Sequence, residues 1–264
     1  MARRPADHLP LRAANAALTL AVVSVLVLGS LLASVLGESM SGLAGQLGTI
    51  GLQVLAFALP AVLVCWASDV QITTALGLSF PPARVIVGAI LVGSSFWLVN
   101  ATFIAPLGLE LFGGREELEK MSQHFADAPL LMVLVSTAVT PAICEELLFR
   151  GAFARAIAAR TGLTSAVVVS ALVFAAIHFP LARMLPALAT GLVLGYVALA
   201  SGSTLAAMLV HLINNSIAIA LAHLAEPDSS GAEIATPVWM VMAAALTVMV
   251  GTALVWGPHR ASRK

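Results

Sequence analysis

Hydrophobic residues occur in long runs along this chain, separated by short polar or charged segments. A helix needs about 20 apolar residues to cross a bilayer. Eight runs approach that length, and they predict an all-α, polytopic membrane protein with about eight transmembrane helices. The predicted spans are 14–36, 47–67, 84–112, 129–149, 163–180, 184–200, 203–225 and 237–257.

The first run could also be interpreted as a secretory signal peptide, because it follows Arg3, Arg4 and Arg12. A signal peptide has a shorter apolar stretch and ends at a small-residue A-x-A cleavage site. This run is long and lacks a clear site of that kind. We therefore expect it to remain as the first membrane span.

The overall composition narrows the class of protein. Hydrophobic residues make up 60% of the chain and charged residues 10%, with a mean hydropathy of +1.00. These values exclude a soluble globular enzyme, a disordered regulator and a coiled coil. The 13 Lys and Arg balance 13 Asp and Glu, so no basic excess favours a nucleic-acid partner. Cys65 and Cys144 lie in separate runs and form neither a disulfide framework nor a CxxC metal site.

An even number of spans places both termini on the same side of the membrane. Lys and Arg near the ends of spans favour the cytoplasmic side. With the N-terminus inside, ten of the 13 basic residues lie on the inner side, and Arg115, Lys120 and Arg183 lie on the outer side. We therefore predict a cell-membrane protein, surrounded by lipid, with both termini in the cytoplasm.

The spans suggest three regions. Residues 1–128 hold the first three spans, 129–225 hold a core of four spans, and 226–264 hold an outer loop, the last span and a basic tail. In the sixth span, small residues recur every four positions at Ala187, Gly191 and Gly195. This spacing lets two membrane helices approach closely.

Ionisable residues inside the spans are the feature that a membrane anchor would not need. Each costs about 2.5–3.5 kcal/mol on insertion, so it usually pairs, faces a wet cavity or performs chemistry. Here they concentrate in the fourth, fifth and seventh spans. The segments are Glu145-Glu146-x-x-x-Arg150, Phe174-x-x-x-His178 and His211-x-x-x-Asn215.

Residues four apart share one face of a helix. Glu146 and Arg150 can therefore pair, whereas Glu145 points about 100° away and can face a different partner. His211 and Asn215 lie on one face and can address one bound group. A structural ion pair and two packing histidines remain the alternative interpretation of the separate motifs.

The turns between spans allow a check of depth. If the fourth helix continues to about residue 160 and turns at 161–162, Glu145 and His178 lie at equal heights, about 25 Å from the turn. His211 lies roughly 14 Å from the turn at 201–202. For the three to meet, the hairpin of spans four and five must extend about 10 Å beyond the other turn. We expect one site, reached from the cytoplasmic side.

Intramembrane Glu, His and Arg also form proton relays, so a proton-coupled transporter is one alternative. The spans show no obvious inverted repeat, which argues against it. A non-catalytic membrane protein that binds a partner is a second alternative.

The three motifs, in this order and each within a span, resemble those of the CPBP intramembrane protease family, also called the CAAX protease/Abi family. This family includes the type II CAAX prenyl endopeptidases. The resemblance covers about residues 129–225. It implies an endopeptidase that acts on a membrane-associated peptide or protein from a cavity open toward the cytoplasm.

The resemblance also implies roles for individual residues. Glu145 and His178 would activate a water, His211 and Asn215 would stabilise the oxyanion, and Glu146 with Arg150 would brace the site. Whether a metal takes part stays open. Glu145, His178 and His211 could supply three zinc ligands, but no H-E-x-x-H motif is present, and we favour a site without metal.

Overall fold

The computed structural model describes residues 9–37, 42–116, 128–178, 180–224 and 236–256. Within these ranges the chain forms apolar helices and no β-strand. Eight helices carry the fold: α1 Leu11–Leu36, α2 Leu43–Ala67, α3 Ala83–Phe112, α4 Leu130–Thr161, α5 Leu163–Ala176, α6 Met184–Ser201, α7 Thr204–Leu224 and α8 Val238–Val255.

Seven helical segments of the described chain are long and apolar enough to cross a membrane. The exception among the eight helices is α5, which has 14 residues. A single-turn helix, Ile72–Ala75, interrupts the connection between α2 and α3. The prediction of an all-α, multi-pass membrane protein is confirmed. Most of the charged segment 113–128 lies outside the described residues.

The packing places small residues inside and large apolar residues outside. In α1 the buried positions are Ala14, Ala17 and Ala21, while leucines and valines such as Leu26 and Val35 are exposed. Lipid solvates large apolar side chains as well as a protein core does, so close backbone approach drives helix packing in membranes. The exposed leucines and valines therefore form the lipid-facing surface.

Two glycine turns set the ends of the central helices. Gly162 joins α4 to α5 with a φ of +85°, and Gly202 joins α6 to α7 with a φ of +75°. Glycine adopts these positive angles without the steric cost that a side chain brings. The predicted turn at 161–162 is confirmed, and α4 continues well beyond the predicted end of its span at 149.

Arg155 fixes the height of α4 against the second turn. Its guanidinium Nη2 donates to the backbone carbonyl of Gly202 over 2.7 Å. The tip of the α4–α5 hairpin at Gly162 thus extends seven residues, about 10 Å, beyond that level. This is the offset expected from the sequence. Glu146 precedes Arg155 by nine residues and His211 follows Gly202 by nine, so the two side chains lie at one height.

The fifth helix ends earlier than predicted. It stops at Ala176, and the backbone N–H of His178 bonds the carbonyl of Ala175 in a tight turn. Pro180 explains this end, because a proline disfavours helical geometry in the residue before it and cannot donate a backbone hydrogen bond. His178 therefore lies just after the helix and not within it.

The small residues of α6 pack against α5. A Cβ placed on Gly191 would lie 3.0 Å from the Cα and Cβ of Ala171, and one on Gly195 would lie 3.5 Å from the Cα of Val167. The predicted close approach of two helices is confirmed. A hydrogen bond of 3.2 Å from Asn100 to Thr190 joins α3 to α6 nearby.

Three helices contain a five-residue π-helical turn followed by a proline. These turns are Val54–Ala58 in α2, Asn100–Ile104 in α3 and Val135–Val139 in α4. In each case the proline is the sixth residue after the first residue of the turn. Proline has no N–H to donate, and the wider turn accommodates its ring. A fourth π-helical segment, Leu147–Ala154, lacks a proline and contains Arg150.

Candidate active site

Glu146 lies at the centre of the polar cluster inside the helices. Its Oε1 accepts a hydrogen bond from Arg150 Nη1 at 2.9 Å within α4. The same oxygen is 2.9 Å from Nδ1 of His211 on α7. Glu146 is 0% exposed, Arg150 1% and His211 3%, so water does not screen these contacts.

The Glu146–Arg150 pair was expected from the spacing, and the structure forms it. The contact between Glu146 and His211 was not expected, because the motif spacing pairs His211 with Asn215 alone. It arises from the equal heights of the two residues on α4 and α7. The first and third motifs are therefore joined directly.

Arg150 extends the cluster toward the second motif. Its Nη2 lies 3.4 Å from the carbonyl of Gly191 on α6, and its Cζ lies 4.3 Å from the ring centroid of Phe174 on α5. A guanidinium at this distance from an aromatic face is attracted by the ring quadrupole. Arg150 thus connects α4 with both α5 and α6.

Phe174 in turn packs against His178, with ring centroids 4.4 Å apart. His178 Nδ1 lies 2.7 Å from the backbone carbonyl of Phe174. A carbonyl can only accept a hydrogen bond, so Nδ1 carries the proton in the neutral ring and Nε2 keeps its lone pair. His178 is therefore held as an acceptor at Nε2.

Glu145 occupies a different face of α4 from Glu146, as predicted. No hydrogen bond or ion pair of its carboxylate is found within the described part of the chain. It lies close enough to His211, Arg150 and Arg183 to interact with them electrostatically. Glu145 therefore lies beside the cluster without being hydrogen-bonded into it.

Arg183 lies near the site, although the motif spacing does not predict it there. The distribution of charges had placed it only among the basic residues on the outer side. Arg183 ends a 3₁₀ turn, Leu181–Arg183, that leads into α6, and it interacts electrostatically with both Glu145 and His178. The turn packs closely on α3, because a Cβ on Gly108 would clash with the carbonyl of Ala182. Its position only five residues after His178 could have indicated that it lies near the site.

Asn215 lies one helical turn beyond His211 and reaches back to α4. Its Nδ2 donates to the carbonyl of Thr137 over 3.2 Å, and its Oδ1 accepts from Asn214 over 3.1 Å. Both bonds fix the plane of the amide. An amide nitrogen carries two N–H groups, so one remains available to a further acceptor.

Metal ligation by Glu145, His178 and His211 finds no support in the geometry. Across the described ranges, no three His, Cys, Asp or Glu side chains lie close enough together to hold a metal ion. Nδ1 of each histidine is bound to a protein oxygen, so Nε2 is the ring nitrogen that each has left for a further partner.

Comparison with known families identifies the segment that holds these residues. Residues 127–217 match the family model described as type II CAAX prenyl endopeptidase Rce1-like. This segment is similar to the Rce1-like CAAX proteases. The resemblance inferred from the three motifs is thereby confirmed at the level of the family. Searches among curated proteins and among solved structures give no match.

The Rce1-like segment includes α4, α5, α6 and most of α7. All seven named residues of the three motifs lie inside it, as does Arg183. The helices outside it, α1–α3 and α8, pack around this segment and contribute Gln53 and Asn100 as polar contacts.

Proposed function

We propose that this protein is an intramembrane endopeptidase that hydrolyses a peptide bond of a membrane-associated peptide or protein. The observation that carries the proposal is the convergence of three motifs in one buried cluster within an Rce1-like segment. A cluster of this kind is costly in a membrane protein and is consistent with catalysis.

Glu145 and His178 are the proposed activators of water. Hydrogen bonds to a carboxylate stabilise its charged form and weaken it as a base. Among the described residues Glu145 accepts none, and His178 offers the lone pair of Nε2. A water held between the two would lose its proton to Glu145 as its oxygen attacks the scissile carbonyl, and Glu145 would pass that proton to the amine nitrogen as the C–N bond breaks.

His211 and Asn215 are the proposed donors to the oxyanion. The second N–H of Asn215 is available for this purpose. For His211 to donate through Nε2 while Nδ1 donates to the Glu146 carboxylate at 2.9 Å, both ring nitrogens must carry protons. Donors preorganised in a site of low dielectric are each worth about 3–4 kcal/mol in the transition state.

Glu146 and Arg150 are proposed to hold the site together. Glu146 orients the ring of His211, and Arg150 balances the charge of Glu146 while it packs on Phe174, which in turn contacts His178. This role requires no contact with substrate. It explains why these two residues are the most deeply buried charges of the cluster.

The proposed orientation has both termini in the cytoplasm and the site open toward that side. The basic tip of the α4–α5 hairpin, with Arg155 and Arg160, would then lie at the cytoplasmic surface, as the distribution of basic residues favours. Labelling of single cysteines introduced in the tip and in the tail, with a membrane-impermeant reagent on intact cells, tests this orientation. Labelling of either site without permeabilisation contradicts it.

The activity is tested by comparing protein termini in membranes that contain the wild-type chain with those that contain Glu145→Ala. We expect at least one new terminus that is present with the wild type and absent with the variant. Equal sets of termini at equal protein levels would contradict the proposal. The same comparison identifies the cleaved bond and supplies a peptide for kinetic work.

We also propose that hydrolysis proceeds without a metal ion, since the described residues do not assemble three ligands. Purified protein should keep its cleavage rate after treatment with EDTA or 1,10-phenanthroline. A loss of rate that added zinc restores would overturn this part of the proposal.

A further inference from the structure

The turn of α4 that precedes Pro141 contains two backbone carbonyls that its own helix does not satisfy in the usual way. In an α-helix the carbonyl of Thr137 would accept from residue 141, and that residue is a proline without an N–H. The carbonyl of Ser136 would accept from Thr140. The N–H of Thr140 instead donates to Val135, which closes the π-helical turn.

Side-chain amides from two other helices donate to these two carbonyls in place of the missing backbone N–H groups. Gln53 on α2 donates to the carbonyl of Ser136 over 2.9 Å, and Asn215 on α7 donates to the carbonyl of Thr137 over 3.2 Å. A buried carbonyl needs a partner, and a freed carbonyl in a membrane helix is a strong site for a polar side chain. The turn before the proline therefore frees the two carbonyls that the two amides bind.

Two other prolines of the chain can be compared with Pro141. Pro60 and Pro106 follow π-helical turns in the same register. Within the described residues, the carbonyls freed ahead of Pro60 and Pro106 accept no side-chain hydrogen bond. A membrane helix can thus contain a proline without a side-chain amide bound to the freed carbonyl. The capture of Asn215 is particular to Pro141.

We propose that Pro141 is a positioning residue for hydrolysis, which frees the Thr137 carbonyl so that it orients the amide of Asn215. This inference rests on the proposed function, since it gives the oriented amide its purpose. One N–H of Asn215 is bound to Thr137 and the Oδ1 is bound to Asn214, so the amide plane is fixed from both ends. The remaining N–H then points in one direction, as an oxyanion donor must.

Kinetics of Pro141→Ala, measured on the peptide identified from the termini, test the proposal. Alanine restores an N–H that competes with Asn215 for Thr137. We expect kcat to fall about 10- to 100-fold with KM within about twofold. Pro60→Ala, the matched control, removes a proline after the same kind of turn and should change kcat by less than about twofold.

A double substitution separates positioning from a general loss of structure. Asn215→Ala should lower kcat by about 100-fold or more in the wild-type background. In the Pro141→Ala background it should lower kcat by less than about tenfold, because the amide is already misplaced. Losses that multiply, or equal losses in Pro141→Ala and Pro60→Ala, overturn the proposal.

If Pro141→Ala does not fold, or if no cleaved peptide is found, a measurement on the wild-type chain tests whether the Asn215 amide is held in one orientation. The chain has four asparagines, Asn15, Asn100, Asn214 and Asn215, so asparagine labelled with ¹⁵N gives four side-chain amide signals. We expect the two Asn215 protons to exchange with water at rates that differ at least about tenfold, while those of exposed Asn15 agree within about twofold. Equal exchange of both Asn215 protons overturns the proposal. The exchange rates do not depend on cleavage. Their result therefore tests the orientation of Asn215 separately from the proposed activity.

Discussion

Glu146 on α4 and His211 on α7 are joined through Oε1 and Nδ1 at 2.9 Å, and Arg150 binds the same oxygen at 2.9 Å. A single buried carboxylate oxygen thus receives one contact from its own helix and one from a neighbour. The first and third motifs meet at this atom. Loss of this carboxylate should therefore affect both the stability of the bundle and the orientation of the His211 ring.

Glu146→Gln should reduce both folding stability and cleavage. The substitution keeps the shape of the side chain but leaves Arg150 as an uncompensated buried charge, which costs about 3–5 kcal/mol. Thermal unfolding in detergent should show a clear fall in Tm, and the cleavage rate should fall at least about 100-fold. Glu110→Gln, at an exposed position on α3, should change neither. An unchanged Tm in Glu146→Gln would contradict the central role of this carboxylate.

Two neighbouring glycines of α6 should respond differently to alanine. At Gly191 the added Cβ would meet the backbone of Ala171 at 3.0 Å, and the same glycine supplies the carbonyl near Arg150. Gly191→Ala should destabilise the protein by about 1–3 kcal/mol. At Gly195 the neighbours lie at 3.5 Å, an ordinary contact distance, so Gly195→Ala should leave stability nearly unchanged. Equal effects on thermal unfolding would show that the α5–α6 contact is looser than described.

Arg183→Gln should slow cleavage without unfolding the protein. The guanidinium provides a positive charge beside Glu145 and His178. Its removal makes the ionised carboxylate less favourable in a site of low dielectric. We expect a fall of about tenfold in kcat with little change in KM. Arg160→Gln at the exposed tip of the α4–α5 hairpin is the control. An equal rate in Arg183→Gln and wild type would show that this charge is not used.

The sequence was sufficient to predict features that depend on spacing along one helix or on turn positions. The pairing of Glu146 with Arg150 follows from a separation of four residues. The offset between the two hairpins follows from the number of residues before each glycine turn. The close approach at Gly191 and Gly195 follows from the period of small residues.

Other features depend on how helices rotate against one another, which the pattern of apolar residues does not specify when a helix is hydrophobic all round. The contact of Glu146 with His211 is of this kind. The end of α5 before His178 was missed because the apolar run continues past the helix, although Pro180 was a signal for it. Arg183 was missed because a charge next to a predicted span end is usually solvated, whereas here a 3₁₀ turn places it near Glu145.

The proton-acceptor role of Glu145 is the central claim, and one rate comparison tests it most directly. Wild type and Glu145→Gln are purified in the same detergent, matched for thermal unfolding, and assayed on the peptide that carries the identified bond. Glutamine keeps the size of the side chain but cannot accept a proton from water. We predict a fall of at least about 1000-fold in the cleavage rate with unchanged Tm. A Glu145→Gln protein that cleaves at the wild-type rate would contradict the account.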